Sequence, residues 1–210
     1  MTKSKQIKAI FFDIGGVLVS VDSSRAVDNL SHKLAVGPAE IKQAMTLELL
    51  NNYEKGLLTS NQFYEELLVG CNSFEKMDLE TFKGYWQDVL FPNEDSLAFL
   101  KLIKDHFPVW LLSNTNDFHY ELLVRDFPFM AWVKGGTFSF MEGCIKPEAQ
   151  IYDIAITRSG FMPGEILFID DLAANVMAAQ ERGLNVIQYF DFDQFSRELK
   201  NRFPELGAFL

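Results

Sequence analysis

Cysteine, histidine and positive charge are all scarce in this chain of 210 residues. Its two cysteines, Cys71 and Cys144, lie far apart and form no CxxC or Cys/His spacing, and its three histidines, His32, His106 and His119, make no zinc pattern. A disulfide scaffold and a zinc module are therefore excluded, and both cysteines read as free thiols in a reducing cytosol. The 19 basic residues are outnumbered by 29 acidic ones, for a formal charge of −10. That excess repels phosphate backbones and anionic membrane surfaces, and no Lys/Arg run makes a local exception. No stretch approaches the roughly 18–20 uncharged apolar residues needed to cross a bilayer. The first residues, Met1-Thr-Lys-Ser-Lys-Gln-Ile-Lys, are basic, but the apolar run behind them is broken by Asp13 and shows no cleavage site. The sequence thus predicts a soluble, cytoplasmic protein with no nucleic-acid or membrane partner; no feature of it sets the oligomeric state.

Hydrophobic residues are not scarce. They make up 48% of the chain, and 20 are phenylalanine, enough to bury a sizeable core without metal or disulfide staples. Ile7–Asp13 is a short apolar run ending in a carboxylate and followed by Gly15-Gly16, the pattern of a buried strand breaking into a tight loop. Val109–Ser113, Ile166–Asp170 and Asn185–Tyr189 have the same character, as expected of a parallel sheet covered on both faces. Between them the periodicity predicts helices over Glu94–His106, Thr115–Val124, Glu148–Arg158 and Leu172–Arg182, the last presenting Ala173, Val176, Met177 and Gln180 on one face and stopping at Gly183. This alternation predicts an α/β fold, a doubly wound parallel sheet of the Rossmann-like kind. Val21–Leu90 breaks the alternation: it has no convincing strand and several helical periods, including a capping-box opening at Thr59–Gln62. The expected organisation is an α/β core of residues 1–20 and 91–210 with an all-helical insert, residues 21–90.

Polar residues that carry chemistry fall at the expected strand ends: Asp13, Ser113, Lys146 and the pair Asp170-Asp171. Ligands of open α/β sheets bind outside the carboxyl ends of the strands, so these positions converge on one crevice. A carboxylate such as Asp13 attacks phosphorus to give an aspartyl-phosphate, splitting one difficult hydrolysis into two easier steps. Attack of an anion on a phosphate dianion is electrostatically uphill. A cation from Lys146, a hydroxyl donor from Ser113 and a divalent ion held by carboxylates offset that cost. Mg²⁺ suits such a site because it prefers hard oxygens and keeps several waters.

Phe12-Asp-Ile-Gly-Gly-Val-Leu-Val19 resembles the nucleophile motif of the haloacid dehalogenase superfamily. Leu111-Leu-Ser-Asn-Thr-Asn116 resembles its second motif, Gly143-Cys-Ile-Lys-Pro-Glu148 its lysine motif, and Leu167-Phe-Ile-Asp-Asp-Leu-Ala-Ala-Asn175 its acidic motif. Within that superfamily the chain is most similar to small bacterial sugar-phosphate phosphatases with a helical cap, of the α-D-glucose-1-phosphate phosphatase type. The resemblance implies that Asp13 is nucleophile and metal ligand, that Ser113 and Asn114 bind the phosphoryl group, and that Lys146 balances charge. It also implies Mg²⁺ held by Asp13, the Gly15 carbonyl and Asp171, with Asp170 helping through water, and a small phosphorylated metabolite as partner.

The sequence departs from the family at Gly15, where most phosphatases of the superfamily carry a second Asp as acid/base; Asp22 is a replacement candidate by proximity alone. Asn175 also stands where many relatives have Asp. The expected activity is a Mg²⁺-dependent phosphomonoesterase. The alternatives are a catalytically impaired protein that binds a phosphorylated ligand, which Gly15 makes a live reading, and a 2-haloacid dehalogenase, which has no reason to keep the acidic pair. Arg25 reads as a surface arginine, and Phe63, Tyr64, Phe82, Tyr85 and Trp86 read as helix packing rather than a substrate cage.

Overall fold

The computed structural model describes residues 6–73, 75 and 77–210, so most of the basic N-terminal stretch read above lies outside the described residues. In chain order the elements are β1 (Ala9–Phe12), β2 (Val19–Val21), α1 (Ser23–Leu34), α2 (Pro38–Ala44), α3 (Leu47–Glu54), α4 (Ser60–Gly70), α5 (Leu79–Gln87) and β3 (Leu90–Pro92). They continue with α6 (Glu94–Ile103), β4 (Val109–Ser113), α7 (Asp117–Asp126), β5 (Gly135–Phe138), α8 (Ser139–Glu142), α9 (Ala149–Ser159), β6 (Ile166–Asp170), α10 (Ala173–Glu181), β7 (Asn185–Gln188), α11 (Phe192–Arg202) and α12 (Pro204–Gly207).

A five-stranded sheet in the order β5-β4-β1-β6-β7, parallel throughout, forms the centre of the α/β core. Every residue of β1 and β6 is buried, which is why these strands are continuous apolar runs rather than alternating ones. Phe12 is in register with Leu111 of β4 and Ile169 of β6. Asp13, Ser113 and Asp170 therefore leave the sheet together at its carboxyl edge, as the doubly wound reading requires. One apolar cluster on the sheet includes Phe12, Phe99, Leu111, Ile169, Ile187 and Phe195; another includes Phe11, Leu112, Tyr152, Phe168 and Val186. Consecutive strand residues supply opposite faces, as the period of two demands.

Helices α1–α5 have a separate cluster, built on Leu30, Ile41, Tyr53, Phe63, Leu67, Phe82 and Trp86 and joined by Phe118 from α7. Tyr53 and Phe63 stack at 4.1 Å, and Phe63 meets Trp86 edge-on at 4.7 Å, so the aromatic residues here are packing. Asp22, Thr46 and Asp78 each start a helix by accepting from a backbone N–H, and Thr59 with Gln62 forms the expected capping box. No helix among the described residues is long and apolar enough to cross a membrane.

Three details differ from the sequence reading. The helical stretch is not free of strand at its ends, because Val21 and Leu90 face each other in an antiparallel ribbon of β2 and β3 that carries the chain out of the core and back. The edge strand β5, Gly135-Gly-Thr-Phe138, has no apolar run to announce it; its glycines lie against the rings of Trp110 and Phe138, where a Cβ would overlap. In α10 the inward face carries Asn175 and Ala179, while Ala173, Met177 and Gln180 face solvent. Asn175 points inward because its amide has a buried carboxylate to bind.

Candidate active site

Asp13 follows β1 directly, and its carboxylate is almost wholly buried, at 7% exposure. Its Oδ1 accepts from the backbone N–H of Ile14 at 2.7 Å and from Lys146 Nζ at 2.8 Å. The next residues turn back tightly, with the N–H groups of Leu18 and Val19 bonded to the Ile14 carbonyl. Gly16 sits at φ +77° against the Asp171 carboxylate, so a side chain there would be strained and would collide with it. Gly15 is different: a Cβ would meet only Val21 Cγ2, at an ordinary 3.4 Å.

Lys146 is the hub. Its buried ammonium lies 2.8 Å from Asp13 Oδ1 and 2.6 Å from Asp170 Oδ2, over the ring of Phe168. Burial pushes its pKa down, but the two carboxylates outweigh that and hold it above the ordinary lysine value. Asn114 fixes the lysine's backbone from the end of β4: its Nδ2 donates to the Lys146 carbonyl at 2.9 Å, and its Oδ1 accepts from the Lys146 N–H at 2.7 Å. Both ends of the Asn114 side chain are thereby engaged in positioning Lys146, where a phosphate contact was expected of it. Ser113, also buried, has a hydroxyl whose one bond among the described residues, to the Asn114 carbonyl, is long at 3.2 Å. A ligand oxygen competes easily for such a donor.

Asp170 is fully buried and well supported, accepting from Leu172 N–H at 2.9 Å and from Asn175 Nδ2 at 3.0 and 3.2 Å, in addition to Lys146. An Asp in place of Asn175 would repel it. Asp171, half-buried beside Gly16, has its pKa raised by burial and then by the charge of Asp170. Burial likewise pushes Asp13 up, to about 7, against the pull of Lys146. Asp13, Asp170 and Asp171 each offer an oxygen within 4.8 Å of the other two. Three hard-oxygen carboxylates face one ammonium, and the excess negative charge together with this spacing fits Mg²⁺.

Other expected candidates are placed elsewhere. Asp22 caps α1 through Ser24, so it is not a replacement acid at the site. Arg25 pairs with Asp88 at 2.7 Å and lies over Phe91, bracing the β2–β3 ribbon. His32 and His106 are exposed, and His119 is packed between Trp86 and Asn116. Contacts between the helices and the core escaped the sequence reading. The Tyr53 and Ser60 hydroxyls both donate to Asp117 of α7, and Lys55 pairs with Glu148 at 2.6 Å. These partners are 57 or more residues apart in sequence and belong to no motif, so only the fold reveals them.

Residues 7–183 match the family model described as haloacid dehalogenase-like hydrolase. The chain belongs to the haloacid dehalogenase-like hydrolases. It is 30% identical over 192 residues to D-ribitol-5-phosphate phosphatase of Bacteroides thetaiotaomicron, a match covering 87% of this chain and 91% of that one. Among solved structures it is similar to a HAD family enzyme of Bacteroides thetaiotaomicron in complex with magnesium and inorganic phosphate, at TM-score 0.79 and 26% identity, covering 90% of this chain and 98% of that one. L-2-haloacid dehalogenase from Xanthobacter autotrophicus shares the fold at TM-score 0.65 and 17% identity, covering 94% of this chain and 84% of that one. As a haloacid dehalogenase-like hydrolase the chain is an enzyme, and Asp13 with its neighbours lies where the ligands of open α/β sheets bind.

Proposed function

We propose that this hydrolase is a Mg²⁺-dependent phosphatase of a small sugar or sugar-alcohol phosphate, working through an aspartyl-phosphate on Asp13. The observation that carries the reading is the cluster itself: a nucleophilic carboxylate, one buried ammonium and two further carboxylates at the carboxyl edge of a parallel sheet. Asp13, Asp171 and the Gly15 carbonyl would hold Mg²⁺, with Asp170 behind them, and the ion would supply positive charge against the entering phosphoryl group. Lys146 favours the ionised form of Asp13 against the effect of burial and fixes the oxygen it binds. Ser113 donates to a phosphoryl oxygen, and Asn114 holds the lysine in place. Residues 21–90 serve as the cap that excludes water and chooses the leaving group. The similarity to a D-ribitol-5-phosphate phosphatase supports a polyol or sugar phosphate in general. The narrower expectation, an α-D-glucose-1-phosphate phosphatase, has no such support.

Phosphate release from a panel of sugar and polyol phosphates and one aryl phosphate, with Mg²⁺ or EDTA, tests the reading. Turnover that needs Mg²⁺ and is lost in Asp13→Asn is the expected result. Gly15 keeps a second reading in view, a protein that binds a phosphorylated ligand without hydrolysing it. Tight phosphate binding with no turnover across the panel would favour that reading.

A further inference from the structure

A carboxylate outside the cluster bears on the gap at Gly15. Glu54 ends α3 and is partly buried, and the residues around it are tied to the core. Tyr53 donates to Asp117, Lys55 pairs with Glu148, and Gly56 lies so close to the Phe140 carbonyl that a Cβ there would overlap. These anchors come from the start of α7, four residues beyond Ser113, and from segments on either side of Lys146. The corner carrying Glu54 is thus pinned against the segments that follow Ser113 and flank Lys146. Its carboxylate has no hydrogen-bond or ion-pair partner among the described residues. Burial raises its pKa, and Lys146 is the one charged group that acts against that rise. A partly buried carboxyl without a partner, its pKa raised by burial and within electrostatic reach of Lys146, is placed for work on a ligand rather than for structure.

We propose that Glu54 supplies the acid/base that Gly15 lacks. The proposal rests on the phosphatase reading above. In-line attack by Asp13 from the sheet edge puts the leaving oxygen on the far side of phosphorus, toward the helical segment. As the Asp13 oxygen bonds to phosphorus, the bond from phosphorus to the ester oxygen breaks; that oxygen keeps the electron pair and takes the proton of Glu54. Water then attacks the aspartyl-phosphate and gives its proton to Glu54, the bond from phosphorus to Asp13 breaks, and both carboxyls return to their starting states. The sequence offers no signal for this role, because Glu54 lies 41 residues from Asp13 in a segment without a motif.

Glu54→Gln, which keeps size and hydrogen bonding, is the test, with an alkyl phosphate and p-nitrophenyl phosphate as probes. On the alkyl phosphate kcat is expected to fall by about 10²- to 10⁴-fold, the usual worth of general acid–base help. On p-nitrophenyl phosphate the good leaving group needs no acid. There the variant is expected to release a burst of one nitrophenolate per enzyme, followed by a slow steady rate set by the unassisted water step. Equal losses on both substrates without a burst, or a change in KM alone, overturn the proposal. Asp13→Asn separates the two claims: if it still turns over, the phosphatase reading fails. If it is inactive while Glu54→Gln is unimpaired, only the role of Glu54 fails.

Discussion

Lys146 shows how much one side chain holds in this molecule. It is buried with Asp13 and Asp170 at 2.8 and 2.6 Å, and Asp171 stands beside them. Replacing it by methionine preserves volume but leaves the buried carboxylates without a counter-charge, a change that typically costs about 3–5 kcal/mol. Lys146→Met is therefore expected to lower the urea midpoint strongly as well as to abolish turnover. The double variant Lys146→Met/Asp170→Asn is expected to recover part of the lost stability and none of the activity. Additive losses in urea titrations of the single and double variants would show that the residues are not coupled. The place of Lys146 in the cluster was legible from its position before Pro147 and from the order of the strand-end residues. The role of Asn114 was not, since both a phosphate ligand and a backbone clamp can be an asparagine after a strand, and only the reciprocal bonds to Lys146 distinguish them.

At the scale of elements, α7 shows how a helix joins the two packed units. Asn116 caps it, Phe118 enters the helical cluster, and His119 stacks on Trp86 at 5.9 Å while its ring bridges the Trp86 carbonyl and Asn116. The geometry calls for a neutral ring whose Nε2–H donates to the carbonyl at 2.9 Å and whose Nδ1 accepts from Asn116. Burial lowers the His119 pKa below the ordinary value, so below about pH 6.5 the unfolded chain binds a proton that the fold does not accept. Stability is lost as pH falls through that value, at up to about 1.4 kcal/mol per pH unit until the folded pKa is reached. Asp13, raised in the fold, contributes with the opposite sign, so the useful quantity is the difference between wild type and His119→Gln. Urea unfolding at pH 7.5 and 5.5 is expected to show a larger acid loss in the wild type, and equal losses would remove the argument. The elements legible in sequence were those with a dominant signal: apolar runs for β1, β4, β6 and β7, a capping box with periodicity for α4, and periodicity for α9. The edge strand β5 was hidden because its glycines are selected by neighbouring rings rather than by strand propensity, and the face of α10 was misjudged because Asn175 is polar yet buried against Asp170.

The whole molecule places its most strained charge where parallel topology collects the strand ends, which is why the site was largely readable from four short motifs while the corner around Glu54 was not. Without a metal ion, Asp13, Asp170 and Asp171 have only the Lys146 ammonium among them, and the fold bears the remaining repulsion in the free protein. Two consequences of opposite sign follow for Asp171→Asn. Removing one charge relieves the repulsion, so the metal-free variant is expected to melt at or above the wild type measured in EDTA. Removing one ligand weakens the ion, so the variant is expected to gain little from Mg²⁺. The wild type, by contrast, gains about 2.7 kcal/mol at a Mg²⁺ concentration near 100 Kd. For a chain of this size that corresponds to a rise in Tm of roughly 5–10 °C. Thermal melts of both proteins in EDTA and across a Mg²⁺ series check the crossing directly. If Asp171→Asn responds to Mg²⁺ as the wild type does, then Asp171 is not a ligand, and its contact with Gly16 serves the loop rather than the ion.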